Sequence, residues 1–164
     1  MSTLVTSNNK TLKKLWLNNN LISDKGAKAI KRAFTETSNL VELYLGWNNI
    51  SGTGGKAIAK LLIQDVKLKV LDLSWNNLGK NNKSKKSKPK SLGDIWGEAL
   101  VINTTLIHLD LSFNMIEVRD SKVISEKLRS NHSLYGMHFK GNAGRIDSLG
   151  FLQVASSLNQ NLRF

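Results

Sequence analysis

The 164-residue sequence contains no cysteine. That excludes disulfide-stapled caps, a thiolate metal site and a cysteine nucleophile together, and it favours a reducing compartment. No apolar run approaches the roughly 18–20 residues that a membrane span needs. The opening stretch, MSTLVTSNNK, lacks the basic-then-apolar layout of a signal peptide. The nucleotide and hydrolase patterns G-x-x-x-x-G-K-S/T, H-E-x-x-H and G-x-S-x-G are all missing. SGTGGK, from Ser51 to Lys56, looks like a phosphate loop only superficially, because its glycine spacing is wrong. Acidic residues are also scarce, 12 Asp and Glu against 24 Lys and Arg, for a net charge of +12. Half of that excess is local. Lys80, Lys83, Lys85, Lys86, Lys88 and Lys90 contribute +6 with no acidic residue among them, so the overall charge does not by itself argue for nucleic acid.

What the sequence has is a repeat, and a repeat decides the fold before any local feature does. LKKLWLNNNLI starts at Leu12, LVELYLGWNNI at Leu40, LKVLDLSWNNL at Leu68, LIHLDLSFNMI at Leu106 and LYGMHFKGNAG at Leu134. The steps are 28, 28, 38 and 28 residues, and the surplus in the third is the lysine-rich stretch. Alternating apolar residues such as Leu15 and Leu17 mark a short strand with one buried face. Asn20, Asn48, Asn76, Asn114 and Asn142 recur at one phase. An amide that both donates and accepts suits the point where chain turns away from strand, and stacked amides would form a ladder.

The second half of each unit reads as a helix with one apolar stripe: Gly26, Ala27, Ile30, Ala33 and Phe34, then Gly54, Gly55, Ile58, Leu61 and Leu62. Gly93, Trp96, Ala99 and Leu100 follow, then Val123, Ile124 and Leu128. In the fifth unit, Gly150, Val154 and Leu158 fit only with two extra residues near 144–148. Asn103 and Asn131 precede the next strand by three residues, where the chain reverses.

These motifs resemble the ribonuclease-inhibitor class of leucine-rich repeats over nearly the whole chain. The resemblance implies an α/β solenoid, a curved right-handed horseshoe segment of about five repeats, with parallel strands on the concave face and helices on the convex face. Residues 1–164 then form one domain. Residues 1–11 supply a partial N-terminal cap, 80–90 a lysine-rich loop insertion, and 162–164 the start of an incomplete sixth strand. The array is either self-sufficient with thin caps, for which the initial Met1 argues, or part of a longer one. An exposed terminal strand edge would let two copies pair as a homodimer.

Strands about 4.8 Å apart turn equivalent residues into continuous columns. The central concave column is Trp16, Tyr44, Asp72, Asp110 and His138. The position two before gives Lys14, Glu42, Val70, His108 and Gly136, and the position two after gives Asn18, Gly46, Ser74, Ser112 and Lys140. Trp16 and Tyr44 have no core to fill there and suit an interface anchor, although they would also merely cover neighbouring strands. Asp72, Asp110, His108 and His138 are of types that bind metals or move protons. The repeat family commonly places Asp in L-D-L, however, and a shallow face lacks a water-excluding pocket. No metal, cofactor or catalytic set is assigned, and an enzyme is not expected. Trp47, Trp75 and Phe113 share one phase and are expected to pack over the strand-exit loops as an internal buttress, the other reading being a stacking platform for a ligand, and Trp96 to sit in the core. Lys83, Lys85, Lys86, Lys88 and Lys90 form an electrostatic loop, either simply solvated or a tether to an acidic partner or anionic membrane; KKSKPK also resembles a nuclear-import signal. Sequence-specific nucleic-acid readout is not expected without interleaved aromatics.

The function expected from these features is a protein–protein interaction scaffold that grips a protein or peptide through its concave face. Cytoplasm is the expected location. Its Asn- and Lys-rich composition resembles that of an AT-rich genome, which fits a protist protein or a bacterial effector delivered into a host cytosol. The cysteine-dependent ubiquitin ligase domain of some bacterial leucine-rich repeat proteins has no counterpart here. The alternative is a regulator of a small GTPase acting through strand-end loops, by analogy with the Ran GTPase-activating protein, although neither Arg119 nor Arg145 matches a family functional residue.

Overall fold

A computed structural model describes residues 11–37, 39–64, 67–80 and 90–154, with the side chains of 35–37 left aside. Each of the first four units is a three-residue strand followed by a helix. These are β1 (Lys14–Trp16) and α1 (Ser23–Thr37), β2 (Glu42–Tyr44) and α2 (Gly52–Leu62), β3 (Val70–Asp72) and α3 (Leu92–Ile102), and β4 (His108–Asp110) and α4 (Val118–Leu128). A fifth strand, β5 (Gly136–His138), completes a parallel sheet in the order β1-β2-β3-β4-β5. Each helix packs on the next along the other side. This is the leucine-rich repeat solenoid.

The strands are short because each contributes only one inward residue before the chain turns. Leu43, Leu71 and Leu109 point inward from β2, β3 and β4, and Leu45, Leu73 and Leu111 follow just beyond; all six are fully buried. The helices close the core from the other side with Ala27, Ile58, Leu61, Trp96, Leu100 and Ile124. Trp96 is fully buried. Small residues let the helices approach: a Cβ on Gly93 would stand 2.7 Å from the carbonyl oxygen of Asp120 in the next helix.

The asparagine phase is a ladder that links units. Asn76 donates to the carbonyls of Leu45 (2.9 Å) and Leu73 (3.0 Å), and accepts from the backbone N–H of Asn48 (3.0 Å) and Ile50 (2.9 Å). Asn48 one rung before, and Asn114 and Asn142 one and two rungs after, repeat the arrangement. With a further bond to the Ser74 carbonyl at 3.2 Å, the buried Asn76 amide has five partners and costs little to bury, and it fixes the rise between units. At the other end of the units, Asn103 and Asn131 tie the helix-to-strand turns to the carbonyls of Leu62 and Leu100. Two carboxylates add links that the repeat pattern does not announce. Asp24 in α1 accepts from Ser51 and Gly54 at the start of α2, and Asp120 in α4 accepts from Gly93 at the start of α3.

The fifth unit departs from the helix expected of it. Its described part is a two-stranded antiparallel hairpin, β6 (Arg145–Ile146) with β7 (Leu152–Gln153). Asp147 is the reason. Its carboxylate accepts from the N–H of Leu149 and Phe151, both at 2.9 Å, while Gly150 takes a φ of +85° that ends any helical run. Leu152 then fills the core where a helical residue was expected. Leu158, the end segment 162–164 and residues 1–10 of the N-terminal cap lie outside the described residues.

Candidate functional site

The sheet register aligns the concave residues in rows: Lys14, Glu42, Val70, His108 and Gly136 in one, Trp16, Tyr44, Asp72, Asp110 and His138 in the next. At the N-terminal end Trp16 and Tyr44 stack with ring centroids 5.4 Å apart and planes 6° from parallel. Trp16 is 62% exposed, an unusual state for a tryptophan with a neighbour already seated against it. Beside the rings, Lys14 Nζ lies 2.8 Å from Glu42 Oε1, and the Tyr44 hydroxyl donates to Glu42 Oε2 at 2.9 Å. Those bonds hold the Glu42 carboxyl below its ordinary range, chiefly through the Lys14 ammonium and then the Tyr44 hydroxyl. Lys14 is raised in turn by its bond to Glu42. Tyr44 is raised by burial first and by Glu42 second. An ion pair this exposed adds little stability, but it locks the tyrosine. The result is a pre-ordered patch of two rings and a fixed charge pair.

The C-terminal half of the face is polar and differently employed. Asp72 accepts from the N–H of Ser74 at 2.8 Å, and Asp110 from that of Ser112 at 2.7 Å, so both carboxylates finish their own strands. Asp72 also takes the Asn18 amide at 3.3 Å, and the two reach across Gly46, where a Cβ would stand 3.2 Å from the carboxylate. His108 and His138 lie with centroids 5.0 Å apart, His108 spreading over Gly136, which has no side chain to displace it. Among the described residues, no three His, Asp or Glu side chains converge as a metal site. Lys90 bonds to Glu98 at 2.7 Å; Lys83, Lys85, Lys86 and Lys88 lie outside the described residues.

A second aromatic group stands on the rim, and it corrects the expected internal buttress. Trp47, Trp75 and Phe113 stack on one another, with centroids 4.4 Å and 4.1 Å apart, but Trp47 is 55% and Trp75 43% exposed. Their backbones explain why. Asn19, Trp47, Trp75, Phe113 and Gly141 all take the left-handed conformation, with φ between 54° and 79°, which throws the side chain out of the loop. Each bulky residue there costs about 1–2 kcal/mol, and a stacked pair returns about 0.5–1.5 kcal/mol. Asn19 and Gly141, residues that tolerate this backbone, are the signal in the sequence that this phase points outward.

Residues 8–31, 38–59, 64–81 and 103–118 match the Leucine Rich repeat family. No curated protein matches the sequence. Among solved structures, the chain is similar to the Leiomodin-1 Actin-Binding Site 2, with 18% identity and a TM-score of 0.69, over 84% of this chain and 76% of that one. It is also similar to the tropomodulin C-terminal domain of Caenorhabditis elegans, with 14% identity and a TM-score of 0.67, over 85% and 80% of the two chains.

Proposed function

The chain is a leucine-rich repeat protein, and from that premise we propose that it is a protein-interaction scaffold whose concave face grips a protein or peptide at Trp16 and Tyr44. One observation carries this reading: a stacked Trp–Tyr pair, mostly exposed at the tryptophan, on the face of the sheet opposite the leucine core. Rigid aromatics contribute large contact area at low ordering cost, which is what interface anchors need. Glu42 and Lys14 give the patch a polar rim, and Asp72, Asp110, His108 and His138 extend it with groups that accept and donate hydrogen bonds.

The test compares the proteins retained from a cell lysate by the immobilised chain with those retained by W16A/Y44A. Partners lost from the variant, while its Tm stays within a few degrees, support the reading. An identical set of partners overturns it. Actin is the natural first purified partner to try, because the leiomodin-1 segment of the same fold is an actin-binding site.

A further inference from the structure

We propose that the strand-exit rim binds a neutral pyranose sugar, stacked flat on the outer face of Trp47 and separate from the concave partner face. The row of rings stops one place short of the first unit. The backbone N–H of Asn19 bonds to Gly46 at 2.9 Å, as that of Trp47 does to Ser74 at 3.0 Å and that of Trp75 to Ser112 at 2.9 Å. All three residues share the left-handed backbone, with φ between 54° and 58°. Asn19 therefore holds the next place in the row, with a side chain too short to cover an indole. Trp75 covers one face of Trp47 at a centroid distance of 4.4 Å, and among the described residues no ring covers the other. The open face is thus held rigid from behind by the rest of the stack.

The groups beside this face set what it can hold. Among the described residues the Asn19 amide has no hydrogen-bond partner. Asn49, two positions beyond Trp47, accepts from the Asn77 amide at 2.7 Å through Oδ1, which leaves its own NH2 group to donate. Leu21, 92% exposed, stands at the corresponding place in the first unit and borders the face with apolar surface. No charged residue occurs from Leu17 to Ser23 or from Leu45 to Gly55. The next acidic residue, Asp24, is engaged by Ser51 and Gly54.

A pyranose has the matching form. Its equatorial hydroxyls spread around the ring edge, each able to donate and accept, while its C–H groups make an apolar face that lies on an aromatic ring. A nucleotide would stack as well, but its phosphates need cations, and these two loops have none. The ring of a phenylalanine or proline side chain would cover the indole but has no polar edge for the two amides.

The experiment titrates cellotetraose and chitotetraose against the full chain by saturation-transfer NMR, beside sorbitol, an acyclic polyol with no flat face. The oligosaccharides should bind at about millimolar concentration, and sorbitol should not bind. Offering each sugar free and coupled to albumin tells a soluble ligand from a glycan on a protein, and binding of either form supports the site. W16F keeps Trp47, Trp75 and the buried Trp96 as its only indoles, so its fluorescence should change when sugar is added. N19G/N49G removes both amides and keeps backbones that glycine tolerates, as Gly141 shows in the fifth unit. It should weaken binding about tenfold with Tm within a few degrees. W47N/W75N, whose new residues repeat Asn19, should weaken it by about tenfold or more. Full affinity in either variant, an unchanged W16F signal, or no oligosaccharide bound overturns the proposal. Binding of adenosine or of a proline-rich peptide in place of the sugars overturns it too.

Discussion

The molecule carries two aromatic stacks, and they differ in the backbone beneath them. Trp16 and Tyr44 stand on paired strands, in extended conformation that any residue adopts at no cost. Trp47, Trp75 and Phe113 stand on loops in the left-handed region, where asparagine or glycine is the low-energy choice. The same repeat therefore offers one position where an aromatic is free and another where it is strained. Strain recurs at that phase in three successive units and is partly offset by the rings packing on one another, whereas a free strand position gains its meaning only from what it exposes.

Both stacks depend on the asparagine ladder, which fixes the rise between units. Breaking it should have the largest effect. N76A would leave the buried N–H groups of Asn48 and Ile50 without acceptors, at a cost of about 1–3 kcal/mol each. A loss of about 3 kcal/mol or more in denaturant unfolding is expected. A loss under about 1 kcal/mol would show that water replaces the amide, and that the ladder is not what sets the spacing.

G141A separates the stacks. Alanine would meet the Phe113 ring and take a φ of +79°, so about 1–2 kcal/mol should be lost, with the rim disturbed and the concave pair intact. Near-ultraviolet circular dichroism of the variant checks that the change is local. The smallest effect belongs to the concave charge pair. Glu42 is depressed in the folded protein, so the stability it adds is present above its unfolded pKa and fades as pH falls through the folded one. E42Q should lower Tm slightly at neutral pH, and the gap from the unaltered chain should close in acid. A gap of constant size across that range would mean that the Lys14 and Tyr44 bonds matter sterically and not through charge.

The strands and four helices were legible in the sequence because leucine spacing reports burial directly, and the asparagine phase anchors the register. Legibility failed where a single side chain overrides a pattern. Asp147 builds a hairpin in the fifth unit by bonding two backbone N–H groups, and no periodicity signals that. The cross-unit caps at Asp24 and Asp120 were missed for a related reason: each lies in a helix's first turn, where its reach to the neighbouring helix depends on packing distance. The concave columns could be placed by phase alone. The rim row was placed at the right phase but in the wrong environment, because leucine periodicity says nothing about the sign of φ in a loop.

The central claim is that the concave stack binds a protein partner and the rim stack does not. It is tested most directly by titrating one captured partner, by calorimetry, against the unaltered chain, W16A/Y44A and W47N/W75N. The account predicts affinity lost in W16A/Y44A and retained in W47N/W75N. Unchanged affinity in W16A/Y44A, with loss in W47N/W75N, would contradict it and move the partner to the rim.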